Sequence, residues 1–189
     1  MIRSSSTMMI PSETPVSSIC PPILVIGLGN PILGDDGVGW KVAEQVANRY
    51  STSLMLQPIV CASMNPTNKS VVEVDCLSLG GLALMERMIN YQRVIIIDAL
   101  STGQSPCGTI SISLLSNLPD RALGHLCSAH DTTLQNALRV GSSLGAVLPD
   151  EIFVVGIETH QIFDFSTELS PAVLDAIPEA VNKIMELLI

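Results

Sequence analysis

Aromatic and basic residues are what this sequence has least of. Its 189 residues include one Trp, two Tyr and three Phe. So few flat rings exclude a platform for stacking bases, and any core must be aliphatic. Nine Lys and Arg stand against eighteen Asp and Glu, for a formal net charge of −9. Such a surface repels phosphate backbones and anionic headgroups, which argues against nucleic acid and membrane partners. Charged residues amount to only 14% and hydrophobic ones to 47%, a balance that excludes disorder and demands a large buried layer. No run of about 18 consecutive apolar residues is present, so no segment reads as bilayer-spanning. The five cysteines (Cys20, Cys61, Cys76, Cys107 and Cys127) are odd in number and scattered, as reduced cytosolic thiols are. The Ser- and Pro-rich stretch 1–22 lacks the apolar segment of a secretion signal and is expected to be a disordered leader. The expectation is one acidic, cytoplasmic, monomeric domain over residues 23–189, long enough to bury roughly 70% of its unfolded surface.

What the chain does have is short aliphatic runs at regular intervals. Ile23-Leu-Val-Ile-Gly27 reads as a fully buried strand. Val38, Val42 and Val46 then recur at helical spacing through Tyr50. Leu56–Cys61 and Val71–Val74 read as strands joined by a turn at 65–68, and Gly80–Asn90 as a helix with Leu84 and Met88 on its apolar stripe. Arg93-Val-Ile-Ile-Ile-Asp98 is the clearest buried strand, closed by a carboxylate. Gly108–Leu114 alternates, as a sheet edge does. Ser128–Gly145 reads as a helix in which Ser128 and Asp131 form a capping pair, placing His130 in the first turn. Ile152–Gly156 is another strand, and Ser170-Pro171 opens a last helix with an N-cap followed by proline. Strands alternating with helices predict an α/β three-layer sandwich, a twisted, mainly parallel sheet with helices on both faces.

In such a sheet, ligands bind beyond the carboxyl ends of the strands. Gly27-Leu-Gly29-Asn30 closes the first strand, but a dinucleotide site needs a third glycine where Ile32 stands. Asp35 and Asp36 would also meet a pyrophosphate with like charge. The glycines instead predict a tight turn with a close backbone approach. Asp36, Asp98 and His130 all fall at that edge, a mixed oxygen and nitrogen set suited to a borderline divalent ion such as nickel or zinc. Three protein ligands leave a position open for water or substrate. Each also has a plainer role: Asp35 and Asp36 can favour the positive end of the next helix, and Asp98 can be satisfied by loop amides. His125-x-Cys127-x-x-His130 is a competing zinc cluster without a second pair. Glu158 lines the cleft or is a solvated acid, Cys107 and His160 fill turns, and no nucleophile-elbow sequence is present.

Taken in order, Gly27-Leu-Gly29-Asn30, Asp35-Asp36-Gly37-Val38-Gly39, Val94-Ile-Ile-Ile-Asp98-Ala99, Ser128-Ala-His130-Asp131 and Val155-Gly156-Ile157-Glu158 resemble the NiFe-hydrogenase maturation endopeptidases over about residues 23–188. The resemblance implies a cytoplasmic peptide-bond hydrolase that removes a C-terminal extension from the hydrogenase large-subunit precursor after nickel insertion. It implies Asp36, Asp98 and His130 as metal-binding and catalytic positions, the first being Glu in some members. The nickel recognised there belongs to the substrate, and zinc or cadmium can replace it. The family's glycine-rich turn near the second β-α junction has only Asp75-Cys-Leu-Ser-Leu-Gly80-Gly81 here. Rival readings are a metal-dependent amidohydrolase or peptidase for small substrates, a non-catalytic nickel or large-subunit chaperone, and a nucleotide-binding regulator.

Overall fold

The computed structural model describes residues 22–55, 71–119, 132–160 and 165–188. Five strands, β1 (Ile23–Leu28), β2 (Val72–Leu77), β3 (Arg93–Leu100), β4 (Ile110–Leu114) and β5 (Glu151–Glu158), form one sheet. Their order is β2-β1-β3-β5-β4, with only β4 antiparallel. Four helices complete the described chain: α1 (Val38–Met55), α2 (Gly81–Arg87), α3 (Leu134–Ser143) and α4 (Pro171–Leu187).

The continuous apolar runs of β1 and β3 split by side-chain parity. Val25, Ile95 and Ile97 join the core under α1 and α4, whereas Leu24, Ile26, Val94 and Ile96 join the core under α2 and α3. A strand covered on both faces has no polar alternation to show, which explains why these runs are so uniform. Val173, Ile177, Ala180 and Ile184 give α4 its buried stripe at helical spacing. The predicted three-layer α/β sandwich is the observed architecture.

Several boundaries differ from expectation. Helix α1 runs on to Met55 through polar residues that break no backbone rule. Strand β3 continues past Asp98 to Leu100, because β5 pairs with it as far as Leu100↔Glu158. The predicted capping pair Ser128 and Asp131 does not open α3: Thr133 is the extended N-cap, its side chain accepting the Asn136 N–H, and Leu134 begins the helix. The strand expected at Leu56–Cys61, the leader apart from Pro22, and His125, Cys127 and His130 lie outside the described residues.

Candidate functional site

Strands β1, β3 and β5 run parallel and in register, so the loops that follow them emerge at one edge of the sheet. The first loop turns at Gly29, whose φ of 125° suits glycine alone. A Cβ there would stand 1.9 Å from the Asp36 carbonyl oxygen. One on Gly39 would stand 2.2 Å from the Leu28 oxygen and 2.6 Å from the Ile97 oxygen. The predicted close approach is thus made by the chain to itself, with the start of α1 laid against β1 and β3. Main chain fills the space beside Gly29 that a nucleotide phosphate would need.

This packing places Asp36 in a single 3-10 turn, Gly34–Gly37, that contacts β3. Its carboxylate is half-buried and accepts the Asn30 N–H at 2.7 Å, which fixes its direction. Asp98 is fully buried on β3, opposite Gly156 and one residue beyond the last β1–β3 pair, Gly27↔Ile97. The structure therefore brings the turn of Asp36 and the strand of Asp98 together at the predicted edge. Among the described residues no three His, Cys, Asp or Glu side chains form a metal-binding group, the third predicted ligand, His130, being outside them.

Two acids take roles that the sequence hid. Asp35, expected to favour the end of α1, is buried and accepts the Ser170 N–H at 2.6 Å, so it caps α4 instead. Further bonds join the same two loops: Gly34 N–H to the Ser166 carbonyl at 2.7 Å and Ser166 N–H to the Ile32 carbonyl at 3.1 Å. Glu158 is neither a cleft acid nor a solvated one. It is 6% exposed, and its carboxylate accepts Thr102 N–H, Gly103 N–H and Thr102 Oγ1–H, each at 2.8 Å. It holds down the loop that leaves β3 just after Asp98. His160 is exposed, and Cys107 is half-buried with its Sγ 3.9 Å from Ser170 Oγ.

The second junction is tied in as well. Trp40 Nε1–H donates to the Leu77 carbonyl at 3.1 Å and Ser78 Oγ–H to the Gly29 carbonyl at 2.6 Å. Burial pushes the half-buried Cys76 thiol up from its ordinary value, with the Glu44 and Asp75 charges adding to it, so it is no activated nucleophile. A cavity of 570 Å³ lined by Leu115, Gln135, Leu138 and Ile152 opens at the opposite, amino-terminal edge, away from both carboxylates.

A five-stranded, mainly parallel sheet with Asp36 and Asp98 at its carboxyl edge makes this an α/β protein. The chain belongs to the hydrogenase maturation protease family, whose model it matches over residues 64–187. The hydrogenase expression/formation protein HupD of Bradyrhizobium diazoefficiens is 25% identical over 168 residues, covering 89% of this chain and 78% of that protein. Among solved structures, the hydrogenase maturating endopeptidase HybD of E. coli superposes with a TM-score of 0.61 at 22% identity, covering 88% of this chain and 91% of that one. A hydrogenase 2 maturation peptidase from a Thaumarchaeota archaeon gives 0.57 at 27% identity, covering 88% and 97%. Membership makes the chain a peptide hydrolase. Among the described residues, no helix is long and apolar enough to cross a membrane.

Proposed function

We propose that this chain cleaves the C-terminal extension from the NiFe-hydrogenase large-subunit precursor after nickel insertion, in the cytoplasm, at a site formed by Asp36, Asp98 and His130. The observation that carries this reading is the fully buried Asp98 lying beside the turn that fixes Asp36. Two carboxylates and an imidazole match the donor preferences of nickel, and zinc or cadmium can substitute. The nickel is cargo of the precursor, and the site reads whether it is present. Burial of Asp98 lowers the dielectric around it and strengthens its attraction for a cation. Asp36, tethered through Asn30 and nearer to solvent, is the carboxylate that an incoming precursor meets first. When bound, the cation supplies polarisation of the neighbouring amide.

The test is intact-mass spectrometry on nickel-loaded and nickel-free precursor from the same organism, incubated with the protein. Shortening of the loaded precursor alone is expected. Shortening of both, or of neither, overturns the reading. Asp36→Asn and Asp98→Asn are each expected to slow cleavage by at least about a hundredfold with the fold retained; wild-type rates in either remove that carboxylate from the site.

A further inference from the structure

The carboxyl edge carries an apolar strip that the core does not use. Phe165 is 85% exposed and Ile32 50% exposed, and the main-chain bond from Ser166 to Ile32 sets their loops side by side. Leu79 and Leu82 are also exposed, and the Ser78–Gly29 bond ties their segment to the other side of the Asp36 loop. The strip thus crosses three adjacent loops with Asp36 in the middle one. Large apolar side chains gathered this way mark a contact surface.

Charge says what kind of partner fits. Among the described residues, the segments at this edge (29–37, 78–80, 101–109, 159–160 and 165–170) contain no Lys or Arg, yet they hold Asp35, Asp36 and the exposed Glu168. Arg93, paired with Glu151, and Arg139, at the rim of the cavity, sit at the opposite edge. Lys41 on the first turn of α1 is engaged with Glu44.

We propose that Ile32, Phe165, Leu79 and Leu82, with Glu168 beside them, dock a segment of the precursor that combines apolar and cationic side chains, which sets its affinity before cleavage. This rests on the proposed function, since the partner is the precursor. Contact made by both substrate and transition state lowers KM without changing kcat.

The experiment measures cleavage of nickel-loaded precursor over a range of concentrations for wild type, Phe165→Ser, Ile32→Ser and Glu168→Lys. Leu144→Ser, at an 80% exposed position beyond α3, serves as the control. KM is expected to rise about tenfold in Phe165→Ser and Glu168→Lys, with kcat within twofold. Leu144→Ser is expected to match wild type. Unchanged KM in all three strip variants overturns the docking proposal and leaves the proposed function standing. An equal rise in Leu144→Ser overturns it too, because any exposed apolar residue would then serve. No cleavage by wild type is a failure of the proposed function instead. Phe165→Tyr keeps most of the apolar area and is expected to stay near wild-type KM, which separates loss of contact from misfolding.

Discussion

At the scale of single residues, the Asp36 position depends on atoms that are missing. Gly39 has no Cβ, and adding one would drive it to within 2.2 Å of the Leu28 oxygen and 2.6 Å of the Ile97 oxygen, both rigid main chain. Gly39→Ala is therefore expected to destabilise by about 3 kcal/mol or more, read as a lowered denaturation midpoint. A melt indistinguishable from wild type would mean that α1 does not lie so close. Asp35 makes the complementary case, where one accepted hydrogen bond joins the Asp36 loop to α4. Asp35→Ala is expected to cost about 1 kcal/mol, as for a lost helix cap. Asp35→Asn, which keeps the accepting oxygen, is expected to lose only a few tenths. Equal losses in the two would show that charge, not the bond, matters.

Among the described elements, β2 lies at the edge of the sheet and is held to α2 by side chains. Arg87 bonds Asp75 at 2.6 Å and also reaches Glu73, whose carboxylate accepts from the Tyr91 hydroxyl as well. The Tyr91 hydroxyl, opposed by a small burial cost and helped by Arg87, holds the Glu73 carboxyl below its usual value of 4.5. A carboxyl depressed by folding adds stability above its unfolded value and loses it as pH falls through the folded one. Wild type is therefore expected to exceed Glu73→Gln slightly at pH 6, the gap closing as pH falls below the ordinary value of 4.5 and through the lowered folded one. Denaturant midpoints across that range measure it, and a gap that widens on acidification contradicts the assignment. The strands themselves were legible in sequence, since runs such as Val94–Ile97 meet apolar partners on both faces and so advertise their burial directly. The placement of Asp36 and Asp98 at one edge was legible too, because parallel strands bring their carboxyl ends together. The start of α3 was not: Ser128 and Asp131 have the spacing of a cap, and only the extended backbone of Thr133 shows which candidate serves. Nor were the tasks of Asp35 and Glu158, whose partners lie 135 and 56 residues away and become neighbours only once the sheet is assembled.

For the molecule as a whole, the sheet has two unlike edges. The carboxyl edge holds Asp36, Asp98 and the apolar strip, in loops bonded to one another. The amino edge holds the 570 Å³ cavity, lined by Leu115, Leu138 and Ile152 and rimmed by Arg139, Asp150 and Glu151. Its volume makes that cavity one candidate seat of function. Chemistry favours the other edge, since a protein substrate needs an accessible surface around its scissile bond and a cavity admits only a small ligand or one side chain. The direction of the parallel strands supports the same choice, because ligands of such sheets bind beyond the carboxyl ends of the strands. Ser116→Trp, which places a large ring in the amino-edge cavity from an exposed position, is accordingly expected to leave kcat/KM on nickel-loaded precursor within twofold of wild type. A tenfold loss in a variant that still melts normally would put the precursor at the amino edge and reverse that orientation.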